Sequence, residues 1–344
     1  MISRSWAKHS WIRLALTWGW SGGHILPLVS LLQTLDQESQ YWTAVDSVYW
    51  FGENKGMERS FYDQYSKSFE HIEPEFVAIV SGKYRRETLW TSRWRNIRDI
   101  CFRFPRGIMQ SLWYISTKKI DVIFAKWGYV SLPVVIAAWI LRRRVYVHES
   151  DTKAGLTTRI AARFATQSFT GFPDTLPRSV HVWQILSLKL LDKPDELPFV
   201  LDPDKILILV AGWSLGSQKL YQAVLDASVS DPRCRSHTQI LMINAQHLVS
   251  LPDLDESHDH IILAPLIKDQ ALMWELYRQA DRAVVRAGTT TLAETKIFDL
   301  PLIIVPLPIT HDQQSNAERY VQHYGDQLLS QDDPNFVDKL HKAL

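Results

Sequence analysis

Strand-like and helix-like segments alternate along this chain, and the alternation occurs twice. In the first half the strand-like runs are residues 11–16, 45–51, 75–80, 121–124 and 144–147. In the second half they are residues 205–211, 238–243, 260–263, 282–285 and 302–305. This order is typical of βαβ units, in which helices cover a parallel sheet. We therefore predict an α/β protein with two Rossmann-like halves.

A segment rich in Pro and Asp separates the two halves. Between residues 172 and 204 lie Pro173, Pro177, Pro194, Pro198 and Pro203. We predict an N-terminal domain at 1–180, a linker at 181–204, a C-terminal domain at 205–325 and a helical tail at 326–344. The glycine turns at 19–23 and 212–216 follow the first strand of each half. We expect them to open toward a shared cleft, where a nucleotide-bearing ligand would bind.

Composition excludes several classes of protein. The 344 residues are 46% hydrophobic and 22% charged, as in globular proteins, and the net charge of +1 gives no general attraction to nucleic acid. Cys101 and Cys234 lie in unrelated contexts, which favours a reducing cytoplasm. The apolar stretch 129–141 is shorter than the roughly 18 to 20 residues of a membrane span, and the N-terminus lacks a convincing signal peptide. We expect a soluble or peripherally bound protein.

One stretch is both basic and aromatic. Residues 83–119 contain ten Lys or Arg and two acidic residues. The interleaved aromatic residues are Trp90, Trp94, Phe102, Phe104, Trp113 and Tyr114. This pattern fits either a solvated helix face above ordinary core aromatics or a surface that rests on anionic lipid.

Polar residues with the chemistry of a phosphate or sugar site follow several of the predicted strands. In TWGWSGGHILP, residues 17–27, His24 stands at a helix N-terminus, beside any anion bound there. In VVRAGTTTLAE, hydroxyl and N–H groups could hold a phosphate and Glu294 a ribose diol; a helix cap with a solvated Glu is the alternative. Polar residues at 148–151 and 310–320 also follow strands. No segment has zinc-ligand spacing or a Walker lysine, so the residues alone indicate a two-domain nucleotide or nucleotide-sugar protein.

Five segments, in order, resemble motifs of the MurG-type transferases of glycosyltransferase family 28. TWGWSGGH resembles TGGGTGGH, KWGYVSLPVVIAAW resembles GGYVSxP, and HESDTKAGLTTRIAARFA resembles HExNxxxGLxNRxxA. VAGWSLGS resembles VxGGSxGA, and RAGTTTLAE with DLPLIIVP resembles RxGxxTxxE followed by GLPxxxVP. The resemblance extends from about residue 17 to residue 317.

The resemblance implies a GT-B fold, with two Rossmann-like domains whose parallel sheets face a central cleft. It also implies inverting transfer of N-acetylglucosamine from UDP-GlcNAc to the C4 hydroxyl of an undecaprenyl-diphosphate-linked muramoyl-pentapeptide, with no metal and no cofactor. The enzyme would lie peripherally on the cytoplasmic face of the membrane, which favours the lipid interpretation of residues 83–119.

Matching positions in the motifs imply a role for each site residue. His24 would be the catalytic base. The donor-binding residues would be Ser214, Gly216, Ile267, Arg286, Gly288, Thr289, Thr291, Glu294, Gln313, Gln314 and Asn316. The acceptor-binding residues would be Ser21, Gly22, Gly23, Gly128, Tyr129, His148, Glu149 and Asp151.

Tryptophan occupies glycine positions of the family motifs. The five positions are Trp18, Trp20, Trp127, Trp183 and Trp213, and Trp is as frequent as Gly, at 14 each. An indole there would stand where backbone must approach phosphate or adopt positive φ. We hypothesise that the gene reads UGA as glycine; a degenerate transferase is the alternative.

Other departures leave the acceptor open. Ser187 replaces a family Arg, Asp151 replaces the Asn of HExN, and extra residues lengthen an expected loop at 269–281. The remaining alternatives are a transferase for another UDP-sugar and glycolipid, a UDP-GlcNAc 2-epimerase and a non-catalytic homologue.

Overall fold

The computed structural model describes most of the chain. The described residues are 11–19, 22–55, 57–82, 90–126, 128–186, 194, 197–212, 218–229, 232–243, 259–267, 269–308 and 311–344. The chain divides into two compact units, Met1–Leu188 and Lys189–Leu344.

The first unit contains a seven-stranded sheet in which every neighbouring pair is parallel. Its strands are β1 (Ile12–Thr17), β2 (Val45–Gly52), β3 (Pro74–Ala78), β4 (Val122–Lys126), β5 (Arg144–Glu149), β6 (Gln167–Thr170) and β7 (Val180–His181). Their order across the sheet is β3-β2-β1-β4-β5-β6-β7. The order reverses between β1 and β4, so the turns after these two strands lie where doubly wound sheets bind ligands.

The second unit repeats this plan with six parallel strands. They are β8 (Ile206–Ala211), β9 (Thr238–Ile243), β10 (Ile261–Ala264), β11 (Arg282–Val285), β12 (Leu302–Ile304) and β13 (Gln327–Leu328), in the order β10-β9-β8-β11-β12-β13. Here the order reverses between β8 and β11. The prediction of an α/β protein with two parallel sheets is confirmed.

Helices connect the strands of each unit. In the first unit they are α1 (Gly22–Gln37), α2 (Ser39–Trp42), α3 (Met57–Tyr65), α4 (Trp90–Arg98), a π-helical turn (Asp99–Arg103), α5 (Phe104–Thr117), α6 (Ser131–Ile140) and α7 (Leu156–Ala161). In the second unit they are α8 (Gln218–Val229), α9 (Pro232–His237), α10 (Gln270–Gln279), α11 (Thr289–Ile297), α12 (His311–Tyr324) and α13 (Phe336–Ala343). Among the helices of the described ranges, none is long and apolar enough to cross a bilayer.

The strands are apolar because helices bury both faces of each sheet. Successive side chains of β1 enter different cores: Leu14 and Leu16 pack in one, and Ala15 packs in the other. In the second unit, Phe336, Leu340 and Ala343 of α13 join the core formed by β8, β9 and α8. The C-terminal segment is therefore part of that unit's packing.

β7, which pairs with β6 and extends the first sheet, lies at the start of the predicted linker, and the boundary between the two compact units, at 188/189, falls inside that segment. One local expectation was wrong. The expected loop at 269–281 is the helix α10, which begins at an Asp269 cap and buries Met273, Trp274, Leu276 and Tyr277. Apolar residues at this spacing form one face of a helix, and their burial stabilises helix over loop.

Candidate active site

In the first unit, two glycines bring the turns after β1 and β4 into direct contact. A Cβ atom on Gly128 would lie 2.4 Å from both N and Cα of Gly19, and Gly128 has φ +133°. Glycine alone readily adopts that conformation and allows that approach. The predicted acceptor residue Gly128 is thus at the switch point, where the turns after the two strands meet.

Tyr129, the next predicted acceptor residue, belongs to a polar cluster around Glu53. Its hydroxyl donates to Oε2 of Glu53 at 3.4 Å, and Arg103 donates to Oε1 at 3.1 Å. The backbone N–H and the hydroxyl of Ser81 also donate to Oε1. Burial, followed by the charge of Glu53, raises the pKa of Tyr129 far above its usual range. Tyr129 is therefore a neutral donor, fixed to the ends of β2 and β3.

The end of β5 carries His148 and Glu149, both buried. Glu149 accepts hydrogen bonds from the N–H groups of Asp151 at 3.1 Å and Gly155 at 3.2 Å. Burial and the charge of Asp151 raise the pKa of Glu149. These hydrogen bonds hold the loop after β5 against the carboxyl group of Glu149. The contacts described for Glu149 therefore stabilise this loop.

Sequence reasoning missed Lys126, the last residue of β4. Its ammonium Nζ lies 3.3 Å from Nδ1 of His148 and 2.5 Å from Oγ of Ser150. The side chain is fully buried, a rare state for a lysine unless it is paired. The available signal was a lysine directly after the apolar run DVIFA. The same pattern is equally typical of a solvated residue at the end of a strand, so it does not predict burial.

In the second unit, Arg286 follows β11 at the switch point beside β8. It donates to the carbonyl of Val305 at 3.0 Å and to Oε1 of Gln331 at 2.7 Å. Burial lowers its pKa to about 10, and the nearby Tyr221 partly opposes the shift. The guanidinium thus stays charged at neutral pH while protein acceptors fix its orientation, which suits a group that stabilises a diphosphate.

Glu294 is buried on α11 rather than solvated, so the helix-cap alternative for this carboxylate is wrong. Burial raises its pKa to about 8, opposed by a hydrogen bond from Trp274. Gly288 caps the N-terminus of α11, and Thr289 and Thr291 are buried in its first turn. The helix N-terminus, hydroxyls and carboxyl group therefore occur together, as a phosphate and ribose site requires.

The other residues predicted to bind the sugar donor differ in burial and in their hydrogen bonds. Gln313 accepts from the N–H of Leu307 at 3.0 Å, and Asn316 is buried on the same helix. Gln314 is exposed and donates to Glu318 one turn later. Ile267 is buried after β10. Tyr221 links the ends of β8 and β9: its hydroxyl accepts from the N–H of Gly212 and donates to the carbonyl of Ile243.

Several predicted residues lie outside the described ranges. These are Ser21, Ser214 and Gly216, together with Ser187, Trp20, Trp127 and Trp213. Gly22, Gly23 and His24 lie in the first turn of α1, but the side chain of His24 is not among those described. Its role as a base stays a prediction.

Two tryptophans at family glycine positions are described. Trp18 is fully buried, with its ring centroid 4.6 Å from that of Trp50. Its indole thus packs in the core instead of facing a ligand, contrary to our expectation. Its Nε1 has no hydrogen-bond partner within the described structure. Trp183 has φ +68°, the left-handed conformation that favours glycine, as the motif predicts.

Comparisons with known proteins match both units. The model of the glycosyltransferase family 28 N-terminal domain matches residues 14–170, and that of the family 28 C-terminal domain matches residues 207–344. A relative from Streptococcus equi subsp. equi is 30% identical, covering 96% of this chain and 89% of the relative. A relative from Staphylococcus saprophyticus is 30% identical, covering 90% and 83%. Both are named UDP-N-acetylglucosamine–N-acetylmuramyl-(pentapeptide) pyrophosphoryl-undecaprenol N-acetylglucosamine transferase.

The crystal structure of Acinetobacter baumannii MurG superposes with a TM-score of 0.68 at 21% identity, covering 96% of this chain and 90% of that one. At this identity the similarity establishes the fold, which is GT-B. The two matched domains together span most of the sequence. The chain is therefore a member of glycosyltransferase family 28.

Proposed function

We propose that this protein transfers N-acetylglucosamine from UDP-GlcNAc to the C4 hydroxyl of a muramoyl-pentapeptide linked to undecaprenyl diphosphate. The observation that carries the proposal is its 30% identity, over 96% of the chain, to a relative named for this reaction. The proposal is supported by the close approach of the turns after β1 and β4. It is also supported by the buried Arg286 and Glu294, which have the chemistry of a diphosphate and ribose site.

The reaction is a single displacement with inversion. The acceptor oxygen bonds to C1 of the sugar while the C1–O bond to UDP breaks, and the electron pair leaves on the diphosphate. His24 takes the hydroxyl proton, and Arg286 with the turn after β8 stabilises the departing charge. Glu294 binds the ribose, Gln313 and Gln314 the donor sugar, and the backbone near Ile267 the uracil.

The test is a transfer assay with UDP-GlcNAc and the lipid acceptor, which detects released UDP and the disaccharide product. His24→Ala should lower kcat by about 10² to 10⁴-fold, the usual contribution of a general base. The exposed histidine variant His323→Ala should retain full activity. UDP release without dependence on acceptor, or conversion of UDP-GlcNAc to its 2-epimer, would refute the proposal; full activity of His24→Ala would refute only the base.

We also propose that the enzyme binds the cytoplasmic face of an anionic membrane, because its acceptor is linked to a lipid. In this proposal α4, the π-helical turn and α5 contact the membrane surface. Trp94, Phe102, Met109 and Trp113 expose 59%, 71%, 71% and 60% of their surface. Exposed arginines accompany them at 93, 95, 98 and 106. Large exposed apolar side chains beside arginines are what an interfacial surface requires.

Vesicle sedimentation tests this contact. The protein should bind vesicles that contain anionic lipid, and Phe102→Ala with Trp113→Ala should weaken binding by about tenfold or more, since each buries an aromatic side chain. Trp11→Ala, another exposed tryptophan, is the matched control. Equal binding of all these variants would remove the membrane assignment.

We also infer that the organism incorporates glycine at positions 18, 20, 127, 183 and 213. The φ of +68° at Trp183 supports this inference, as does the indole N–H of Trp18, which has no hydrogen-bond partner among the described residues. Peptide masses from the natively produced protein decide it. Glycine masses would support recoding of UGA, whereas tryptophan masses would overturn it and favour the non-catalytic alternative.

A further inference from the structure

The buried ammonium of Lys126 determines which ring nitrogen of His148 carries a proton. Burial lowers the pKa of Lys126 to about 8, while the charges of Glu149 and Asp151 oppose the shift, so the group is mostly protonated at neutral pH. An ammonium group only donates hydrogen bonds. Nδ1 of His148, 3.3 Å from Nζ, must therefore be the acceptor.

With Nδ1 accepting, the neutral imidazole carries its proton on Nε2. That nitrogen lies 3.2 Å from the carbonyl oxygen of Trp183, which can only accept. The contacts with Lys126 and with Trp183 thus require the same tautomer. Two hydrogen bonds in series therefore connect Lys126 at the end of β4, His148 near the end of β5 and Trp183 after β7.

A second connection joins the same segments. The side-chain amide of Gln184 donates to the carbonyl of Ser150 at 2.8 Å, and Oγ of Ser150 accepts from Lys126 at 2.5 Å. A Cβ atom on Gly171 would lie 2.1 Å from Nε2 of Gln184, so glycine there leaves space for the amide. Residues 183 and 184 are consequently hydrogen-bonded to His148 and Ser150, respectively. Lys126 contacts both His148 and Ser150.

We propose that Lys126 is a positioning residue of the acceptor site: it fixes the Nε2–H tautomer of His148 and thereby holds the turns after β4, β5 and β7 in one arrangement. The role of these turns in binding the lipid-linked acceptor rests on the proposed function. Lys126 itself is buried and acts through His148 and Ser150. Its loss should therefore affect acceptor binding much more than donor binding.

Nitrogen-15 NMR of labelled histidine tests the tautomer in the intact protein. The His148 signal, assigned by its disappearance in His148→Gln, should show protonated Nε2 and unprotonated Nδ1 at neutral pH. In Lys126→Met the fraction of the Nε2–H tautomer should fall, because one of the two contacts that favour it is removed, whereas exposed Lys67→Met should leave that fraction unchanged. Protonated Nδ1 in the wild-type protein, or an unchanged fraction of the Nε2–H tautomer in Lys126→Met, would overturn the proposal. The wild-type measurement remains decisive even if Lys126→Met does not fold.

Steady-state kinetics tests the consequence. Lys126→Met should raise the KM for the lipid acceptor by about tenfold or more and that for UDP-GlcNAc by less than about twofold, because the hydrogen bonds lost are on the acceptor side. On a His148→Ala background the same substitution should have a clearly smaller effect, because the connection through Ser150 is then the part that remains to be lost. Equal changes in both KM values, or fully additive effects, would contradict action through His148. If the wild-type protein shows no transfer, the proposed function fails, while the NMR result still decides the role of Lys126.

Discussion

Replacing Gly128 by alanine should destabilise the first unit selectively. The added Cβ would lie 2.4 Å from two backbone atoms of Gly19, and φ at Gly128 is +133°. A non-glycine residue in that conformation costs of order 1 to 3 kcal/mol. Relieving the steric clash costs about 1 to 3 kcal/mol more, because backbone atoms cannot rotate away. The expected loss is therefore about 2 to 6 kcal/mol.

Scanning calorimetry provides the measurement. In a domain of about 150–250 residues, 1 kcal/mol corresponds to a change of about 2 to 4 °C in Tm. The first-unit transition of Gly128→Ala should fall by at least about 4 °C, and the second-unit transition should not move.

Two glycines serve as controls. At Gly325, φ is +76° and no atom of the described residues lies within 4 Å of an added Cβ. Gly325→Ala should therefore cost only about 1 to 2 kcal/mol, in the second unit. Gly19→Ala would place a Cβ 3.1 Å from Cα of Gly128, and its effect should be smaller than that of Gly128→Ala. A Gly128→Ala protein that melts like the wild type would refute the contact between the two turns.

Two further substitutions test the second unit. Burial raises the pKa of Glu294 to about 8, so its protonated form contributes full stability below the unfolded pKa near 4.5, and this stability is lost as pH rises to about 8. Glu294→Gln should abolish this loss when Tm is measured against pH. An equal dependence of Tm on pH in the wild type and the variant would contradict the prediction. The same variant should weaken UDP binding by up to about tenfold in calorimetric titration, since a hydrogen bond between the carboxyl group and the ribose is lost. Asp326→Ala removes a buried partner 2.6 Å from Lys296 and should lower the free energy of unfolding in urea by about 3 to 5 kcal/mol. Asp333→Ala, which breaks a solvent-accessible pair with Lys339, should cost much less than Asp326→Ala because solvent screens the pair, and an equal cost would contradict the role of burial.

The sequence alone predicted ten of the strands to within two residues, because strands buried on both faces are continuous apolar runs. The strands it missed are short or polar: β6 reads QSFT, and β7 and β13 contain two residues each. Such segments become strands only because a neighbouring strand supplies hydrogen bonds. The family motifs likewise predict roles for Arg286 and Glu294 from local residue order, whereas the burial of both side chains is visible only in the structure.

Tertiary structure alone decided the contacts of Lys126 and Glu53. Lys126 meets His148 and Ser150 because β4 and β5 are neighbours in register, with Lys126 opposite His148. Glu53 contacts Ser81, Arg103 and Tyr129, which are 28, 50 and 76 residues away. Local propensity depends on residues within a few positions, whereas these contacts depend on strand order and register across the sheet. The chain therefore encodes its strands and motifs locally, but the shared ends of parallel strands create its polar networks.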